Sequence, residues 1–176
     1  MAELSHTGLG FSKDINLAQL NLIHNRYFHL SGPNYMAFGM RSKISLPERQ
    51  AYFNYRALGY NDFVRGYEYY VIDGQHSFLF KSTINRRILR RELSFDFIPL
   101  KQLHAVPFDI YVTAFSDYGY TVNNTYEQTN TFANSLLIGY GTGVNFVAYY
   151  DRILRAEVAM NRQKRAGLYL HLYYPF

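Results

Sequence analysis

The sequence predicts an all-β protein, an antiparallel transmembrane β-barrel wall with eight strands per chain. Three observations carry that expectation. Apolar and polar residues alternate with a period of two in segment after segment, and helical periodicity is almost absent. The composition is aromatic-rich and charge-poor, with 18 Tyr, 14 Phe and 18% charged residues, where a soluble domain has about 25%. No run approaches the eighteen or so consecutive apolar residues of a membrane helix, whereas a membrane strand needs only about ten alternating ones. A soluble β-barrel or sandwich alternates too and stays open on this ground alone. At 176 residues the chain, 1–176, reads as a single domain, long enough to bury a core.

The segments follow in order. Strands are expected at about 3–12, 15–31 and 34–46, the last two separated by the turn signal "SGPN" at 31–34. A long connection at about 47–76 follows. The fourth strand, about 77–91, carries Arg86, Arg87, Arg90 and Arg91 in an alternating context. In the fifth, about 107–120, Phe108, Ile110, Val112 and Ala114 oppose Asp109, Tyr111, Thr113, Phe115, Asp117 and Gly119. After "VNNTYEQTN" at 122–130 comes a strand at about 133–146, where Leu136, Ile138, Tyr140, Val144 and Phe146 oppose Gly139, Gly141, Gly143 and Asn145. The seventh, about 148–161, sets Leu154, Ala156, Val158 and Met160 against Asp151, Arg155, Glu157 and Asn161. "RQKRAG" at 162–167 turns the chain into the last strand, about 167–176, where Leu168, Leu170, Leu172, Tyr174 and Phe176 oppose Tyr169, His171 and Tyr173.

Several function classes lose ground on composition. With no cysteine there are no disulfides, thiolate metal sites or cysteine nucleophiles. The net charge of +5 invites a nucleic-acid partner, but the basic residues are scattered and match no nucleic-acid module, so none is expected. The N-terminal stretch lacks a basic region and an apolar core, which fits a chain whose signal peptide is absent. Histidines at 6, 24, 29, 76, 104 and 171 show no metal-ligand spacing with acidic partners. No Gly-x-Ser-x-Gly elbow occurs. The chain is therefore read as not an enzyme, with no cofactor and no metal. His171 reads as an interior hydrogen-bonding residue, Asp151, Arg155 and Glu157 as an interior ion network, and the alternating glycines as a place of close backbone approach.

Inside the long connection stands "DFVRGYE" at 62–68. With Phe115-Ser116-Asp117-Tyr118-Gly119 farther on and the closing "HLYYPF", it resembles the BamA-type superfamily of outer-membrane barrel insertases and translocators. The first stretch is similar to the V-R-G-F/Y signature of that family's inward-folded loop, the second to its F-x-D-x-G strand pattern, the third to the C-terminal recognition signal of outer-membrane barrels. "YEYYVIDGQ" and "YYDRILRAE" look most like members from the Bacteroidota. The resemblance covers essentially the whole chain and corresponds to the C-terminal eight strands of a sixteen-stranded barrel, without the client-capturing POTRA modules.

It implies a bacterial outer-membrane location and a part in assembly, insertion or translocation of proteins, with outer-membrane proteins as clients; a structural or small-pore barrel is the alternative. By residue, it implies a loop-docking motif of Val64, Arg65, Gly66, Tyr67 and Glu68, an inward strand motif of Phe115, Asp117 and Gly119, and a terminal signal of Leu172, Tyr174 and Phe176. Where relatives often carry Glu on the strand after the loop, this chain has Asn85, so a weaker clamp is expected.

The physics of that pairing stands without the family. Phe115 and Asp117 share one face two residues apart, so a guanidinium from the loop can meet a carboxylate and a ring at once. Gly66 removes the side chain that would obstruct a close turn after Arg65. Eight closed strands enclose only enough space for their own side chains, so a loop of roughly thirty residues cannot also fit. The expectation is half of a sixteen-stranded barrel, completed by a homodimer or a partner barrel half in the lipid bilayer, and not a small closed barrel with the loop inside.

Overall fold

Alternation is realised as one antiparallel sheet of eight strands. The computed structural model describes residues 1–7, 17–47, 52–59, 61–94, 105–124, 130–148 and 152–173. The sheet contains β1 (Ala2–Thr7), β2 (Leu17–His29), β3 (Asn34–Leu46), β6 (His76–Ser94), β7 (Ala105–Val122), β8 (Leu137–Ala148), β9 (Arg152–Asn161) and β10 (Ala166–Tyr173). Every strand pairs with its neighbour in that order, so β1 and β10 are the two edges. Among the described residues no ladder joins them, and no closed barrel forms.

Between β3 and β6 the chain is not structureless. It forms a 3-10 turn at Tyr52–Tyr55 and a small two-stranded sheet of β4 (Arg56–Leu58) and β5 (Ile72–Asp73). Gly59 and Asp62 bridge at its open end. The segment between β4 and β5 lies over one face of the large sheet. A core of Leu58, Val64, Tyr67, Ile72, Leu79 and Leu137 forms between them, with Tyr70 and Phe132 packed against it. Burying an aliphatic or aromatic side chain of this kind contributes about 1.5–3 kcal/mol, so the segment is held by its own apolar residues as well as by polar contacts.

The opposite face is apolar and uncovered: Ile84, Val112, Leu154, Val158, Leu168, Leu170 and Leu172 are all exposed. Period-2 geometry makes the division inevitable once the register is set. Rows of directly paired residues run across the strands on the loop-bearing face. One row is Lys81, Asp117, Gly139 and Asn161; the next is Thr83, Phe115, Gly141 and Ala159.

Strand limits differ from the sequence reading in two informative places. The strand expected at about 133–146 starts at Leu137, because asparagines divert the backbone first. Asn134 accepts from the Asn123 backbone N–H at 2.9 Å and donates to the Asn123 carbonyl at 2.9 Å, a side-chain alternative to the ladder. In β6 a bulge between Arg87 and Leu89 breaks the alternation expected through the arginine cluster, leaving Ile88 as the extra residue. The expected strand residues 8–12, 15, 16, 149–151 and 174–176 lie outside the described residues, and Asp151, His104, Tyr174 and Phe176 with them.

Candidate functional site

The loop meets the sheet through a tight turn. Tyr67 N–H donates to the Val64 carbonyl at 2.9 Å, enclosing Arg65 and Gly66 as the two central residues. Gly66 has φ +89°, as the third position of a type II turn requires, and glycine adopts it without steric cost. The Arg-Gly pair follows from this geometry: the arginine sits at the tip, and the glycine after it lets the chain turn back. The Gly66 carbonyl accepts from Asn161 Nδ2 at 3.2 Å, and Tyr67 hydroxyl donates to Gln163 Oε1 at 2.6 Å.

Arg65 enters the sheet face almost completely buried, at 4% exposure, over a fully buried Asp117. Its Nε donates to Asp117 Oδ2 at 2.8 Å and Nη2 to Oδ1 at 2.6 Å, a two-pronged pairing. The Arg65 backbone N–H also donates to Oδ2, at 3.2 Å. Nη1 donates to Glu157 Oε1 at 3.2 Å and Nη2 to Thr83 Oγ1 at 3.0 Å. The guanidinium carbon lies 3.7 Å from the Phe115 ring centroid. Only arginine gives the planar fork and the stacking together. Burial works against the Arg65 charge, but the hydrogen bonds and charge of Asp117, followed by Glu157, outweigh it and hold the pKa above its ordinary value.

Glycines make the room. A Cβ on Gly119 would stand 2.5 Å from Val64 Cγ2 and 3.1 Å from Leu58 Cδ1, while one on Gly139 would overlap the Arg65 carbonyl. Across the ladder from Phe115, Gly141 lies under that ring, and a Cβ there would come 2.8 Å from Phe115 Cζ. Thus Phe115, Asp117 and Gly119 each act on the loop differently: ring, charge and vacancy.

The dock extends across the sheet. On β3, Arg41 pairs with Asp62, and Lys43 Nζ donates to the carbonyls of Asn54 and Arg56 at 2.9 and 2.6 Å. On β6, Lys81 Nζ lies 4.4 Å from the Phe63 ring centroid. At the far edge Glu68 meets His171, with Oε2 and Nε2 2.9 Å apart, and the Tyr69 and Tyr169 rings stand 5.5 Å apart. Burial pushes the Glu68 carboxyl up, against the lowering pull of His171.

Several features were missed by sequence reasoning. Asn85 does not reach Arg65; its Oδ1 accepts from Thr113 Oγ1 at 2.6 Å. The second carboxylate comes instead from Glu157, on β9, so the clamp is not the single pair that Asn85 suggested. Glu157 does keep Arg155 as a neighbour at 3.8 Å. Likewise His171, which showed no ligand spacing along the chain, stands beside Glu68 and Glu157 in space. Leu172 is exposed on the apolar face of β10, away from the dock.

Comparison with known protein families, with curated proteins and with solved structures found no match.

Proposed function

We propose that this chain is an outer-membrane β-barrel protein of the BamA-type class, taking part in assembly, insertion or translocation of proteins at the bacterial outer membrane. The observation that carries the reading is one constellation. The Val64–Tyr67 turn sets Arg65 against Asp117 and Phe115, and Gly119 admits Val64. These are the residues on which the resemblance rests, drawn from distant parts of the chain into a single buried contact.

The physical logic runs from the two faces to the two edges. An uncovered face of Leu, Val and Ile suits hydrocarbon, and a contiguous exposed patch of that kind is unusual on a soluble monomer. In lipid, an edge strand with unpaired N–H and C=O groups costs several kcal/mol per group. Each edge therefore needs a strand, supplied either by a partner or by a client adding itself to the sheet. Two copies pairing β1 to β10 would close a sixteen-stranded ring with room for both loops; cyclic symmetry makes this the simplest closure. A partner barrel half would satisfy the same edges. Mass measurement in mild detergent should give twice the chain mass or a defined hetero-complex. A monomer with its own β1 and β10 paired removes this closure.

The function is tested by reconstitution. Liposomes carrying the protein should accelerate folding of an unrelated outer-membrane barrel relative to empty liposomes. Ion conductance with no acceleration would replace the proposal by the small-pore alternative, and neither effect would leave a structural barrel.

A further inference from the structure

Beside the Arg65 contact lies a second cluster that the docking does not use up. Glu68 in the loop, Glu157 in β9 and His171 in β10 each bring one possible ligand atom within 4.8 Å of the other two. The Glu157 side chain is 1% exposed and that of Glu68 10%. Among the described residues five buried side-chain atoms have no hydrogen-bond partner, and three of them are Glu68 Oε1, Glu157 Oε2 and His171 Nε2. Leaving one such atom unpaired costs about 1–3 kcal/mol, more when charged. Two unpartnered carboxylate oxygens on residues grouped with an imidazole call for an occupant.

The ion pairs nearby do not supply it. Glu157 uses Oε1 for Arg65 at 3.2 Å and Arg155 at 3.8 Å, which leaves Oε2 orphaned. His171 Nε2 contacts Glu68 Oε2 at 2.9 Å, and Glu68 Oε1 is left without a partner. Arg65 and Arg155 reach Glu157 through Oε1 alone, Arg155 Nε also donates to Asn145 Oδ1 at 3.0 Å, and Lys81 lies over the Phe63 ring.

We propose that Glu68, Glu157 and His171 form a binding site for a divalent transition metal ion that pins the docked loop to β9 and the edge strand β10. One imidazole with two carboxylates suits Zn²⁺, Co²⁺ or Ni²⁺; an all-oxygen set would have suited Mg²⁺ or Ca²⁺. Metal–ligand bonds of about 2.0–2.2 Å place tetrahedral ligand atoms roughly 3.5 Å apart. Drawing atoms now within 4.8 Å to that spacing takes small side-chain rotations. Glu68 and Glu157 supply the anionic ligands, Glu157 sharing its charge with Arg65 and Arg155, and water completes the coordination. Because the ligands come from the loop and two strands, binding energy becomes docking energy. The ion would stiffen the edge at which a further strand pairs.

The test uses the whole folded chain in detergent micelles, with Co²⁺ and Zn²⁺ as probes. One Co²⁺ per chain should bind with visible ligand-field absorption and be displaced by Zn²⁺. His171→Asn and Glu68→Gln should each weaken binding at least tenfold, while His24→Asn, at an exposed position of β2, should not. A readout on the unaltered chain guards against variants that fail to fold: Zn²⁺ should protect His171, but not His24 or His29, from acylation by diethyl pyrocarbonate. Absence of a Co²⁺ spectrum at millimolar ion overturns the site. So does binding that survives both substitutions, or equal acylation of His171 with and without Zn²⁺.

Discussion

Replacing Arg65 by Ala is the most direct test of the dock. The change leaves Asp117, 0% exposed, and Glu157, 1% exposed, without their shared cation. Solvent does not screen the pair at these exposures, so the cost belongs to the class of broken buried ion pairs, about 3–5 kcal/mol. Loss of the guanidinium over Phe115, 3.7 Å away, falls within that figure because both contacts vanish with one group. Water entering the vacated space offsets part, which places the effect near the lower end, about 3 kcal/mol, or about two powers of ten in the docking equilibrium.

Chymotrypsin reports this equilibrium at Tyr67, whose side chain is 1% exposed when docked, since cleavage tracks the open population when opening is fast. Initial cleavage after Tyr67, followed by mass spectrometry, should rise about a hundredfold in Arg65→Ala. Asp117→Asn should have a smaller effect, because Arg65 keeps Glu157, and Glu157→Gln a smaller one still, because the two-pronged pairing with Asp117 survives. Unchanged cleavage in both Arg65→Ala and Asp117→Asn would refute the reasoning.

Gly139→Ala should loosen the dock more than Gly119→Ala. The first puts a methyl into the Arg65 backbone carbonyl and the second into side-chain carbons of Val64 and Leu58; overpacking of this kind costs about 1–3 kcal/mol, measurable as a lower unfolding midpoint in urea. Leu170→Arg, on the exposed face of β10, should cost about 2–4 kcal/mol in a bilayer if the site lies near the midplane, and much less than that in a water-soluble sheet; unfolding from liposomes decides between them.

How much of this was legible in the sequence depends on the range of the signal. Phe115, Asp117 and Gly119 fall on one face because a strand repeats every two residues, so their joint orientation needs no knowledge of neighbours. The Arg65-Gly66 turn is equally local, and the motif order linked the two. Glu157 was visible as an interior residue but not as a partner of Arg65. Its place depends on the register of β8 against β9, where Gly143 faces Glu157, and no local pattern encodes that. The grouping of Glu68, Glu157 and His171 depends in addition on where the loop comes to rest, so a search for ligand spacing along the chain could not find it. The late start of β8 had a local cause, the side-chain bonds of Asn134, which apolar alternation outweighed in the reading.

The loop does not brace the two edges of the sheet equally, and this fixes where the wall should open. β10 is held on one side by an eight-residue ladder to β9 and from above by the Glu68–His171 and Tyr69–Tyr169 contacts, with the Phe63 and His171 rings stacked at 5.8 Å. β1 has a six-residue ladder to β2, and its residues are exposed almost throughout. A cavity of about 380 Å³ opens where Glu3, Gln19 and Asn21 face Arg56–Gly59. Local opening free energies follow buried contact and ladder length, so β1 should fray at a smaller cost than β10. If two copies pair β1 to β10 as proposed, separation of that seam would begin on the β1 side and would leave a loop-stiffened β10 as the template for an incoming strand. Amide hydrogen exchange of the protein in micelles measures this directly. The Glu3 and Ser5 amides of β1, which face β2, should exchange well before those of Tyr169 and His171, which face β9, and β10 should lose that advantage in Arg65→Ala. Equal protection of the two strands would mean that the loop does not govern the edge.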